Sequence, residues 1–221
     1  MKLYQFAYSP FAAKVRKCLE LKGLAFAAID VPFLDRRQLM EVSGGAIMVP
    51  VLADGDTVVR DSARITEYLD ERYAPSLRPA PLTATATVFE AWADQLLEDV
   101  AFRLAAPAIE TRIADINQGR EDARALFRFT KERKYGSGCL DSWRAAAGEL
   151  RQRMSALLAP LAHSLTHQPF LLGQQATLAD AAVFGQLAMI EWALPGTVAT
   201  SWPGLAAWYV RVDAARGVGS G

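Results

Sequence analysis

The sequence predicts an α/β domain followed by an all-α helical bundle. Over the first part of the chain, strand-like and helix-like signals alternate in the order β-α-β-α-β-β-α. Ala74–Pro81, "APSLRPAP", then sets three prolines in eight residues, a density no helix continues through. From Leu82 onward strand signals nearly vanish and long Ala/Leu-rich segments take over, the composition of a bundle. The division expected is residues 1–76 and 77–221.

Each element has a local reason. "KLYQFA" is a short strand rich in aromatic residues. From Phe11, the positions Val15, Cys18, Leu19, Leu21 and Leu24 fall mostly at helical spacing, with Gly23 as the stop. "AFAAIDV" runs nearly continuously apolar, the pattern of a buried strand. A short polar helix over Asp35 to Val42 ends at Gly44-Gly45. "VPVLADGDTVV" is two strands joined by Asp54-Gly55, a strong hairpin signal. "RDSARITEYLDERY" puts Ile65, Tyr68, Leu69 and Tyr73 on one helical face. Beyond the linker, helical segments are expected at roughly 82–118, 121–135, 139–167, 177–194 and 203–215, and "GVGSG" as a flexible tail.

Composition excludes several function classes. With 52% hydrophobic and 22% charged residues, the 221-residue chain carries a substantial core. Lys+Arg and Asp+Glu both count 24, so no long-range field holds a polyanion and nucleic acid is not the expected partner. Cys18 and Cys139 form no C-x-x-C or zinc pattern, which fits a reducing compartment. No signal-length apolar run follows Lys2, and Thr177 to Leu194 is broken by Asp180, Gln186 and Glu191. The expectation is a cytoplasmic protein with no membrane span.

Three short motifs carry polar chemistry. Ser9-Pro10 is a standard helix entry, with the serine oxygen accepting a backbone N–H and proline at the first helical position. Capping leaves the hydroxyl proton free to donate, beside the positive end of a helix dipole. A thiolate there gains a hydrogen bond and a favourable field, so its pKa falls. Val49-Pro50 leads into a strand, where proline marks an edge or a special bond geometry. Asp61-Ser62 opens a helix: as a cap, or as a recognition site in which Ser62 and free N–H groups take a carboxylate and Asp61 the neighbouring ammonium.

Together these features resemble the cytosolic glutathione transferases. "MVPVL" is similar to that family's cis-proline segment, and "RDSARITEYL" to its motif for the γ-glutamyl end of glutathione. "PFLLGQQATLADAAVFGQL" resembles its late helix, with Thr177 and Asp180 in a capping box. The resemblance covers residues 1–80 and Pro169–Leu187. It implies a thioredoxin-like first domain, a helical second domain, glutathione as co-substrate, a small hydrophobic electrophile as second substrate, no metal, and a homodimer.

Residue by residue, the resemblance makes Ser9 the group that stabilises the glutathione thiolate. Val49, Pro50, Asp61 and Ser62 become glutathione-binding. Ala12 stands where a second redox cysteine would be, which argues against disulfide chemistry by that route. Met48 occupies a position where many members keep Lys or Gln for the glycine carboxylate, so Arg36, Arg37 or Gln38 is the substitute. Tyr4 and Tyr8 are reserve thiolate donors. The electrophile is expected near Tyr8, Phe11, Phe102 and Arg103. Two other readings stay open: a non-catalytic ligand- or partner-binding module, and a glutathione-dependent isomerase, dehalogenase or ether-cleaving enzyme.

Other features have bland readings beside sharper ones. His163 and His167 have metal-ligand spacing on a helix but no acidic or thiol companions, and histidine near a helix C-terminus complements its dipole. Arg120, Arg124, Arg128 and Lys131 follow one helical face, which is a solvated face by default and a site for an acidic substrate or partner otherwise. Cys139 follows a Gly-Ser-Gly turn at a helix start, either as a thiol of lowered pKa or as a small buried residue.

Overall fold

Leu3 and Tyr4 point to opposite faces of their strand, and that alternation organises the first half of the protein. The computed structural model describes residues 1–217. Its first half holds β1 (Lys2–Gln5), α1 (Pro10–Leu21), β2 (Ala27–Asp30), α2 (Arg37–Ser43), β3 (Val51–Asp54), β4 (Thr57–Arg60) and α3 (Ser62–Arg72). The sheet order is β2-β1-β3-β4, with β1 parallel to β2 and the other pairs antiparallel. The one parallel pair needs a crossover, which α1 supplies. Leu3 and Leu52 pack with Val15 and Leu19 of α1 and Ile65 and Leu69 of α3; Tyr4 and Val51 pack with Leu39 of α2. This is a thioredoxin-like domain.

One strand differs from its expectation. β2 lies at the sheet edge, and Ala27, Ala28 and Asp30 are exposed, with Ile29 only half-buried. A continuous apolar run of alanines therefore signals an uncovered edge here, not burial on both faces.

The second half is helical: α4 (Thr83–Trp92), a π turn (Ala93–Leu97), α5 (Glu98–Ile116), α6 (Glu121–Tyr135), α7 (Cys139–Ala145), α8 (Ala147–Ser164), α9 (Leu178–Ala193), α10 (Thr197–Ser201) and α11 (Pro203–Ala214). The segment expected at 82–118 is one run interrupted by the π turn, and the segment at 139–167 divides at Ala146 and ends at Ser164. Among the described residues, no helix is long and apolar enough to cross a membrane. Of the expected tail, the Gly217 N–H donates to the Glu20 carbonyl at 2.8 Å, and 218–221 lie outside the described residues.

α9 is the helix around which the second half packs, buried on nearly every side. Its start is fixed by the capping box of Thr177 and Asp180. The buried Asp180 carboxylate also accepts from the Leu171 N–H and from Trp208 Nε1, both at 2.9 Å, tying the preceding loop and α11 to the cap. Gly185 lets α9 press against the entrance of α1: a Cβ there would stand 2.5 Å from the Pro10 carbonyl oxygen. A buried polar network joins the halves. Glu90 of α4 accepts from Lys14 of α1 at 2.9 Å, from Arg78 of the linker at 2.9 Å and from Thr66 of α3 at 3.0 Å.

Candidate functional site

The strand register brings three of the sequence motifs to one end of the sheet. Tyr4 of β1 pairs with Val51 of β3, and Val51 pairs with Arg60 of β4. Ser9 follows the end of β1, Val49-Pro50 precedes the start of β3, and Asp61 follows the end of β4. The N-termini of α1 and α3 therefore open on the same side.

Ser9 is buried, and its Oγ accepts from the Ala12 N–H at 3.3 Å, a long capping bond. Its N–H donates to the Phe6 carbonyl, which sets the turn. The Oγ donates to no acceptor among the described residues, so its proton is available. Tyr4, a reserve donor, lies in the core between β1, β3 and α2. Tyr8 is buried too, stacked on Phe6 with ring centres 5.5 Å apart and tilted against Trp192 at 5.6 Å. Burial holds its phenol well above the usual range, so it stays protonated at neutral pH.

The Val49-Pro50 bond is cis. In the loop before it, Met48 is 69% exposed, and the Ile47 carbonyl accepts from Arg36 Nη1 at 2.6 Å. Arg36 also lies over the rings of Phe6 and Phe33, at 5.1 and 5.2 Å. Arg37 is not brought to this loop. Its side chain is 84% exposed and clamped by Asp35, which its own sequence position two residues away makes the nearest acid. Arg36 thus bonds to this loop, and the Arg37 side chain bonds to Asp35 instead.

At α3, Asp61 is the cap and Ser62 the first helical residue. Asp61 Oδ1 accepts from the N–H groups of Ala63 at 2.9 Å and Arg64 at 3.3 Å. Its backbone sits at φ 76° and ψ 132°, a strained region for a non-glycine residue, of the kind that persists when surroundings over-determine it. Asp94 of the π turn faces this terminus and was not legible in the sequence. Its Oδ2 accepts from Lys14 Nζ at 2.5 Å, while its buried Oδ1 has no hydrogen-bond partner. Burial pushes its carboxyl up, opposed by Lys14 and reinforced by the charges of Glu90 and Asp61.

Beside Tyr8, between the two halves, lies a cavity of about 370 Å³ lined by Phe6, Tyr8, Pro32, Phe33 and Asn117 among others. Phe11, Phe102 and Arg103, expected to share a pocket with Tyr8, do not line it. Phe11 lies at the entrance of α1 beside Lys14. Phe102 packs on Tyr135 and Trp143, and Arg103 is held by Asp99 of its own helix at 2.7 Å. These residues come from the outer turns of α5, and neighbouring acids and aromatics engage them first.

The structure also places Cys139 and the histidine pair. Burial, then the charge of Glu132, pushes the Cys139 thiol up, so it is the small buried residue and not an activated thiol. His163 and His167 stack edge to face at 5.6 Å, but α8 ends at Ser164 and leaves His167 beyond it. Among the described residues, no group of three His, Cys, Asp or Glu side chains stands ready to hold a metal ion.

Residues 3–77 match the family model of the glutathione S-transferase N-terminal domain, and residues 141–215 that of the C-terminal domain. The chain belongs to the glutathione transferase superfamily. Glutathione S-transferase Z1 of Arabidopsis thaliana is 39% identical over 95 residues, which take in 41% of this chain and 43% of that protein. Glutathione S-transferase U1 of the same plant is 29% identical over 125 residues, covering 55% of this chain and 56% of its own. These matches span roughly half the length of the curated relatives. A glutathione S-transferase of Ceriporiopsis subvermispora, solved in complex with glutathione, superposes over 100% of this chain and 99% of its own with a TM-score of 0.78 at 20% identity. At that identity the likeness to this family member speaks for the fold.

Proposed function

We propose that this member of the superfamily is a glutathione transferase, in which the thiolate of glutathione attacks a small electrophile. The observation that carries the reading is the free hydroxyl proton of Ser9 at the mouth of α1, at the sheet end that also holds cis-Pro50 and Asp61. In this reading Ser9 Oγ–H donates to the glutathione sulfur, and the α1 dipole adds to the stabilisation of its negative charge. The backbone of Val49 pairs with the glutathione main chain. Ser62, through its hydroxyl and its N–H at the start of α3, takes the γ-glutamyl carboxylate, while Asp61 takes its ammonium. Arg36 replaces the usual partner of the glycine carboxylate. The sulfur then forms a bond to the electrophilic carbon as the leaving group departs with its electron pair, and the site contributes chiefly by orientation.

A second copy of the chain is the partner this reading implies. Val88 of α4 and Leu96 of the π turn are 66% and 59% exposed, which supports that surface as its seat.

Ser9→Ala tests the reading. The variant folds, losing a cap worth about 1 kcal/mol, and its turnover of 1-chloro-2,4-dinitrobenzene falls by roughly tenfold or more with little change in the KM for glutathione. Unchanged turnover in folded Ser9→Ala rules out Ser9 as the thiolate donor.

A further inference from the structure

The two helices that open on the candidate site are held, at the same depth, by one buried carboxylate from the other half of the molecule. α1 and α3 pack on the same face of the sheet, against Leu3 and Leu52. Lys14 stands five residues beyond the Ser9 cap, and Thr66 five residues beyond the Asp61 cap. At about 1.5 Å per residue, each lies about 7.5 Å below the mouth of its helix. Glu90 Oε1, from α4, accepts from Lys14 Nζ at 2.9 Å and from Thr66 Oγ1 at 3.0 Å. A single oxygen atom therefore touches both helices.

That carboxylate has little freedom to shift. Lys14, Thr66 and Glu90 are all buried. Glu90 Oε2 accepts from Arg78 Nη2 at 2.9 Å, and the same nitrogen donates to Thr66 Oγ1 at 2.9 Å. Asp94 of the π turn accepts from Lys14 Nζ at 2.5 Å, so α1 is gripped from two points. The Thr66 hydroxyl proton has the Ala63 carbonyl at 2.8 Å as well as Glu90 within reach, and the carboxylate is the stronger acceptor. Apolar packing between the helices is non-directional, whereas hydrogen bonds to one atom fix a distance. Moving either helix strands a charge or a polar group in the interior.

We propose that Glu90 is a positioning residue: it fixes the spacing between the Ser9 and Asp61 mouths, and with it the length of thiol peptide that the site accepts. This rests on the glutathione reading above. In that reading the ligand spans both mouths, its sulfur at Ser9 and its γ-glutamyl end at α3, so its affinity depends on a spacing set before it binds.

The test compares glutathione with β-aspartyl-cysteinyl-glycine, which is one methylene shorter between the amino-acid end and the thiol, by calorimetric titration of the full chain. The wild type is expected to bind glutathione about tenfold more tightly. Glu90→Gln removes the charge at nearly constant volume, and Thr66→Val removes the α3 contact and no charge; each is expected to cut that ratio to about threefold or less. A residue that only stabilises the fold leaves the ratio unchanged in a folded variant, and Thr66→Val serves if Glu90→Gln does not fold. Equal affinities in the wild type, or a ratio that survives in the folded variants, overturns the assignment of Glu90 and leaves glutathione binding standing. Absence of glutathione binding at millimolar concentration defeats the transferase reading instead, and amide exchange in the ligand-free protein then decides on Glu90. The Ala13 N–H donates to the Ser9 carbonyl and the Ile65 N–H to the Asp61 carbonyl, both at 2.9 Å, closing the first turn of each helix. Glu90→Gln is expected to speed exchange at both amides by about fivefold beyond any change in the middle of α9, and Thr66→Val at Ile65 alone. No such local rise at Ile65 in either variant overturns the positioning role.

Discussion

Asp61 caps α3, and the proposed function gives it a second job that substitution separates from the first. Its carboxylate caps α3 through two N–H groups and faces the terminus that Asp94 also addresses. Asn caps about as well as Asp, so Asp61→Asn is expected to keep stability within about 0.5 kcal/mol. Glutathione affinity should nevertheless fall by roughly tenfold, because a charge-assisted bond to the ammonium becomes a neutral one. Thermal melting and calorimetry on the same sample check both halves. Lys131 carries a different cost. Its depressed pKa means the unfolded chain binds more protons than the folded one between about pH 8 and the ordinary lysine range. Its contribution to stability is therefore present in full above that range and lost as pH falls through about 8. Lys131→Met should be more stable than the wild type at pH 7, with the gap closing as pH rises past 8; urea midpoints across that range test the sign.

At the scale of elements, the meeting of α1 and α9 positions the site. Gly185→Ala drives a Cβ against the Pro10 carbonyl, beside Ser9, and is expected to cost about 1–3 kcal/mol. It should also weaken the thiolate signal of bound glutathione, where a purely structural glycine would change stability alone. Denaturant unfolding and ultraviolet absorption of the complex distinguish the two. The features legible in the sequence were those with local causes. Ser9-Pro10, the Asp54-Gly55 hairpin and the Thr177–Asp180 box each write their structure within a few residues. The edge position of β2 was not legible, because strand order depends on which strands pair across the chain. Asp94 escaped notice because nothing in "ADQLL" announces a π turn, and that turn determines where its carboxylate points. The fate of the α6 cations depended on Glu110 and Asp141, which arrive from α5 and α7.

For the whole molecule, the buried network around Glu90 is what ties the α/β half to the bundle. It links α1, α3, the linker and α4 through Lys14, Thr66 and Arg78, with Asp70 adding a second acid to Arg78 at 3.2 Å. Glu90→Ala leaves two buried cations short of a partner and is expected to destabilise the protein by about 3–5 kcal/mol. Urea unfolding monitored by tryptophan fluorescence measures it; a loss below 1 kcal/mol would show that the network is not what holds the halves together. Ser9 and Asp61 lie on the α/β side of that junction, at one end of the sheet, where glutathione is proposed to bind. The most direct test of that proposal is calorimetric titration of the intact protein with reduced glutathione, read beside ultraviolet difference absorption. Saturable binding with a thiolate band near neutral pH is expected, and binding without the band in Ser9→Ala. No binding at millimolar glutathione, or a wild-type complex that shows no thiolate, would contradict it.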